Sequence, residues 1–139
     1  MKPGLYIVAT PIGNLEDISN RSKETLKNVE IIICENPKHS LKLFTKLGIK
    51  KKLYSLHDHN ENKIIQQIAK FADKKPIALI SDAGSPLISD PGYKLVRFYI
   101  DNKYKLTTIP GPSSLIASLQ ISGMAPNTFH FYGFPPKNK

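Results

Sequence analysis

The chain has 139 residues, a formal net charge of +9 and 40% hydrophobic residues. That is enough for one domain with its own core and too apolar for disorder throughout. Its single cysteine, Cys34, excludes an internal disulfide framework and points to a reducing compartment.

In chain order, short apolar runs alternate with helix-like segments. Met1-Lys2-Pro3-Gly4 leads into the first run, Leu5–Ala9, without a signal-peptide pattern. Val29–Cys34 follows; its Ile31-Ile32-Ile33 does not alternate, as expected of a strand covered on both faces. His39–Leu47 reads as a helix presenting Leu41, Phe44 and Leu47, with Gly48 as its stop. Lys52–Ser55 is the third strand candidate, and Asn60–Ala72 places Ile64, Ile65, Ile68, Phe71 and Ala72 on one helical face. After the fourth run, Ile77–Ile80, Asp90-Pro91 predicts a helix start with a capping carboxylate, burying Leu95, Val96, Tyr99 and Ile100. Leu106–Ile109 is the fifth run, followed by a helix that starts at Ser113 or Ser114 and ends near Gly123 and Pro126. These elements predict an open α/β fold: a mostly parallel five-stranded sheet with helices on both faces. The sixth run, Phe129–Tyr132, also reads as a strand; seven residues follow it, so it suggests the opening of a second domain. No apolar run reaches about 18 residues, so no membrane span is expected and the localisation expected is cytoplasmic.

Charge is unevenly spread. Between Asn36 and Lys75 there are ten lysines and three acids, so +7 of the +9 lies there. Such a surface attracts polyanions. Only Arg21 and Arg97 are arginines, however, and arginine is the residue suited to bidentate phosphate contacts. The pattern therefore fits either a polyanion-binding surface or a solvated face of default lysines.

Ligands in such sheets bind beyond the carboxyl ends of the strands, so the loops there carry the functional reading. Thr10-Pro11-Ile12-Gly13-Asn14 lacks the glycines of a dinucleotide fingerprint, and no phosphate-loop motif exists. Ser81 to Gly92 is longer than the usual two to six residues of such a connection, and Ala83, Gly84 and Ser85 let a ligand approach the backbone. Pro110-Gly111-Pro112-Ser113-Ser114 is stiff until it meets a helix N-terminus. Ser85 lacks the hydrolase elbow, and His57-Asp58-His59 lacks the further ligands of a metal site, so no metal is expected. Cys34 reads as a buried small hydrophobe, and Glu35 and Lys38 lie at the sheet edge that binds ligands.

Together, "VATPIGNLEDI", "SDAGSPLISDPG" and "PGPSS" closely resemble the tetrapyrrole methylase superfamily, and within it the branch that methylates ribosomal RNA. The resemblance runs from about Leu5 to Phe134. It implies two α/β domains with the methyl donor, S-adenosylmethionine, in the cleft between them, and a homodimer. Residues 1–126 would then be the N-terminal domain and 127–139 the start of a second domain that is largely missing. Carried over position by position, the donor contacts are Ile12, Asp82, Ala83, Gly84, Ser85, Ile88, Ser113 and Ser114. Relatives read Glu-Asp-Thr-Arg-His-Thr where this chain reads Glu35-Asn36-Pro37-Lys38-His39-Ser40, losing a carboxylate and an arginine.

The expected activity is methylation of a cytidine 2′-hydroxyl in 16S rRNA of the small ribosomal subunit. A ribose hydroxyl is a poor nucleophile and needs a general base, for which Glu35, Asp82 and His57 are candidates by loop position. Lys38, Lys50, Lys51 and Lys52 would contact RNA phosphates, positioning without reading sequence. Two alternatives stand beside this: a catalytically incomplete half that folds, binds or dimerises, and a methylase of the same superfamily with another acceptor.

Overall fold

The structure is a computed structural model describing residues 1–136. Five apolar runs become strands: β1 (Gly4–Val8), β2 (Ile31–Cys34), β3 (Lys52–Ser55), β4 (Pro76–Ile80) and β5 (Leu106–Ile109). They form one sheet in the order β3-β2-β4-β1-β5, every pairing parallel. The helices are α1 (Asn20–Asn28), α2 (Pro37–Leu47), α3 (Glu61–Ala69), α4 (Tyr93–Asp101) and α5 (Ser114–Ile121).

Side chains alternate across each strand. Tyr6, Val8, Ile32, Cys34, Ala78 and Ile80 face Leu26 of α1 and Leu43 and Phe44 of α2. On the other side Leu5, Ile31, Ile33, Ile77 and Leu79 face Ile64 and Ile68 of α3 and Leu95 and Tyr99 of α4. Two covered faces explain why the runs read as continuous rather than alternating. They also fix the site. The chain leaves β1 and β2 toward one face and β4 toward the other, although β4 lies between them. Crevices therefore open on both sides of the carboxyl end of β4, as at the switch point of other doubly wound sheets.

Several expectations are corrected. Phe129–Tyr132 is not a strand; it has no ladder partner and instead lies over the carboxyl edge of the sheet beside α5. An apolar run becomes a strand only where backbone partners exist. Residues 137–139 of the expected second-domain start lie outside the described residues. In α2, which begins at Pro37 after the Asn36 cap rather than at His39, the buried face is Ser40, Leu43 and Phe44; Leu41, turned about 100° from Ser40 around the helix, is exposed. Helix α4 begins at Tyr93, not Asp90-Pro91, and its Gly92 cap contributes no side-chain bond. The carboxylate of Glu61, buried between α3 and α4, accepts from the Leu95 amide at 2.8 Å and does the capping instead. Ile100 is exposed, the inward face of α4 being Leu95 and Tyr99.

Candidate functional site

The loop after β4 is pinned to the loop after β1. Thr10 and Gly84 exchange backbone hydrogen bonds of 2.9 and 3.0 Å, and the Thr10 hydroxyl donates to the Ser81 carbonyl at 3.3 Å. Between Ser81 and Gly92 the backbone is left-handed at Gly84 (φ 78°), Leu87 (77°), Ser89 (66°) and Gly92 (127°). A leucine and a serine in that region carry strain that the surrounding contacts must hold. Gly84 could not be replaced freely. A Cβ there would stand 3.3 Å from Ile12 Cγ2, in a conformation that side chains rarely adopt. A Cβ at Gly92 would meet Leu79 at 2.9 Å. The fifth loop closes in as the Ser85 hydroxyl donates to the Pro112 carbonyl at 3.5 Å, a contact at the limit of hydrogen bonding.

On one side of this frame lies a cavity of about 470 Å³ lined by Ala83, Gly84, Ser85, Ile88, Ser113 and Ser114. Its far wall is aromatic, from Phe129, Phe131 and Phe134; the sequence reading placed the first two in a strand and missed all three as pocket residues. The volume is in the range of small-molecule sites, about 300–1,000 Å³. Ser113 makes no side-chain cap bond, leaving first-turn amides of α5 free to meet an anionic group. Gly84 gives close backbone approach, the serines give hydroxyls and the phenylalanines give apolar cover. This donor set fits a molecule with an aromatic base at one end and an amino-acid carboxylate at the other.

The remaining two expected donor contacts, Ile12 and Asp82, line a second cavity of about 400 Å³ together with Thr10, His39, Ser40 and Lys42. Ala83 lines both cavities, so they adjoin at the end of β4.

The three candidate bases occupy the ends of neighbouring strands. Asp82 follows β4 and accepts from the Asn36 amide at 3.2 Å. Glu35 follows β2, and its carboxyl is held above its ordinary range by burial first, then by the charges of Asp82 and Asp90. Asp90 is likewise raised, chiefly by burial and further by Asp82; the sequence reading assigned Asp90 to a helix cap and missed its place in this cluster. His57 follows β3 and shares a 2.8 Å hydrogen bond with the Ser55 hydroxyl. Of the three, Asp82 reaches a cavity wall, whereas Glu35 and His57 line neither cavity. Cys34 is buried, and burial pushes its thiol up, away from a nucleophile's range. Among the described residues no three His, Cys, Asp or Glu side chains cluster as a metal site, and no helix is long and apolar enough to cross a membrane.

The expected RNA contacts separate. Lys38 stands in the first turn of α2, at the carboxyl edge of the sheet. Lys50, Lys51 and Lys52 precede or begin β3 and so lie at the opposite edge.

Residues 4–134 match the Tetrapyrrole (Corrin/Porphyrin) Methylases, and the chain belongs to that family. The curated proteins it is similar to include several named Ribosomal RNA small subunit methyltransferase I. The one from Xylella fastidiosa is 46% identical over 136 residues, 96% of this chain and 50% of that protein. The one from Rickettsia prowazekii is 48% identical over 138 residues, 99% of this chain and 49% of that protein. The chain thus spans about half the length of the curated relatives it matches. Its fold is shared with a putative diphthine synthase from Entamoeba histolytica (TM-score 0.65, 20% identity, 93% of this chain and 49% of that one). It is shared also with the uroporphyrin-III-C-methyltransferase of Thermus thermophilus (TM-score 0.63, 18% identity, 89% and 53%). The methyl donor of this family is S-adenosylmethionine.

Proposed function

We propose that this chain is the donor-binding half of a methyltransferase that uses S-adenosylmethionine to methylate a cytidine 2′-hydroxyl of 16S rRNA in the cytoplasm. The observation that carries the reading is the cavity at the end of β4, where two separate loops bring together Ala83, Gly84, Ser85, Ile88, Ser113 and Ser114. Relatives 46–48% identical share a name that supports small-subunit ribosomal RNA as the acceptor; the cytidine 2′-hydroxyl is carried by the family resemblance. The donor brings an activated methyl on sulfur. The chain's own part is to hold it: backbone groups of Ala83 and Gly84 approach closely, and the amides of α5 take its carboxylate. Phe129 and Phe131 keep water off. Asp82, on the wall of the adjoining cavity, is the residue we assign to accept the ribose hydroxyl's proton, with Glu35 behind it.

Residues from 127 onward are, in this reading, the opening of the family's second domain, and the homodimer that the family resemblance implies is part of the proposal. What supports a further packing partner is α5, which buries none of its residues although its sequence is SLIASLQI.

The test is transfer of labelled methyl from S-adenosylmethionine to small subunits lacking the modification, with a two-domain relative run alongside. Transfer by the chain, lost in Asp82→Asn, is expected. No transfer from a folded chain that still binds the donor in a calorimetric titration would reject the activity for this chain and leave a catalytically incomplete half. The exposed α5 face favours that second reading.

A further inference from the structure

Helix α2 carries Lys38, Lys42 and Lys46 at four-residue steps, all exposed, and no acid anywhere in its eleven residues. Four residues of helix advance about 6 Å, so the three ammonium groups form a stripe running down one side of the helix. The ion pairs among the described residues involve Lys27, Lys75 and Arg97 with nearby acids, and none takes a lysine of this stripe. The stripe starts at the site. Lys42 and His39 line the second cavity, and Lys38 stands one turn closer to the carboxyl edge of the sheet.

That cavity holds an independent sign of a ligand. Ser40 is 3% exposed and lines it, yet its Oγ has no oxygen or nitrogen partner among the described residues. The Cys34 thiol hydrogen-bonds to it, but sulfur is only a weak partner, so the buried hydroxyl keeps capacity that a stronger partner would satisfy. Lys42 and Asp82 both line it, a pair of charges that suits a group carrying an anion and a hydroxyl. A phosphodiester-linked ribose has that form.

We propose that α2 is a guide for single-stranded RNA. Lys38, Lys42 and Lys46 hold successive phosphates, and one nucleotide enters the second cavity with its ribose toward Asp82 and its phosphate toward Lys42. This rests on the rRNA reading above and adds where the strand lies. A cavity of about 400 Å³ admits a nucleotide drawn out of its stack rather than a paired one. Lysine point charges place the backbone without reading bases.

The test is fluorescence anisotropy of a labelled uridine dodecamer against the full 139-residue chain across a salt series. Each phosphate contact with a single strand contributes about 0.7 to the slope of log K against log salt. Replacing Lys38, Lys42 and Lys46 together with alanine should therefore lower the slope by about 2. The charge-matched control replaces Lys63, Lys74 and Lys94, exposed residues on the α3–α4 side, and should leave the slope nearly unchanged. With 4-thiouridine at the centre of the oligomer, crosslinks should map to α2 and the Thr10–Leu15 loop. Equal slopes for the two triple variants, or crosslinks confined to α3 and α4, would overturn the guide while leaving RNA as acceptor. Absence of binding by the unaltered chain, with donor binding intact, would overturn the RNA reading itself and the guide with it.

Discussion

At the level of single residues, Gly84 concentrates the demands of the site. It carries the bridge to Thr10, adopts a left-handed backbone and packs against Ile12. Gly84→Val would pay a backbone cost of about 1–3 kcal/mol and push side-chain atoms toward the space the donor needs. A domain with about 5–15 kcal/mol of stability survives that cost. The expected result is a chain with native circular dichroism, a lower urea midpoint and no measurable heat with S-adenosylmethionine. Unchanged affinity would place the donor elsewhere. Six of the eight donor contacts carried over from sequence line this cavity. That set came from the family resemblance; the residues themselves marked Ala83, Gly84 and Ser85, small side chains on a long loop. Phe129 and Phe131 were not legible as pocket residues, since a short apolar run has the same pattern whether it joins a sheet or roofs a pocket. Ser40 was illegible for another reason: a buried hydroxyl with only a thiol for a partner shows only once its neighbours are in place.

Among the elements, the central strands β2 and β4 were the readily legible ones, because a strand covered on both faces needs an unbroken apolar run. Helix starts were less so. Asn36 and Ser19 cap their helices through bonds to amides two or three residues on, and such caps can be read locally. The cap of α4 is different. Glu61 lies 34 residues from the Leu95 amide it accepts from, so nothing near Asp90-Pro91 announces it. This long-range cap ties α3 to α4, and its loss should be felt. Glu61→Ala leaves a buried amide unpaired, at about 1–3 kcal/mol, whereas Glu61→Gln keeps an acceptor oxygen and should lose less. Urea denaturation of both variants tests the point. Equal losses would mean that side-chain packing rather than the hydrogen bond holds the two helices together.

For the whole molecule, charge and shape divide the surface into three zones. A lysine face runs along α2, an unburied apolar face surrounds α5 with Ile121 at 87% and Tyr132 at 88% exposure, and a carboxylate cluster sits between the strand ends. The cluster works against the fold in a way that acidity reveals. Glu35 and Asp90 have carboxyls raised chiefly by burial, with neighbouring negative charge adding to both and a Ser81 hydrogen bond partly opposing it at Asp90, so the folded state binds more protons than the unfolded one. A group of this sign lowers stability as pH rises from about 4 through its folded pKa, and the deficit persists at neutral pH. Most of the chain pulls the other way in acid, since protonating its carboxylates adds to a net charge already at +9 and strengthens self-repulsion. The double variant Glu35→Gln, Asp90→Asn isolates the cluster from that background. Its urea midpoint should exceed that of the unaltered chain at neutral pH, and the gap should close as pH falls below about 4, where both proteins carry neutral groups. A lower midpoint at neutral pH would mean that the two carboxylates are stabilised by partners when charged. The cluster would then be a structural anchor rather than a site holding repulsion in readiness for a proton.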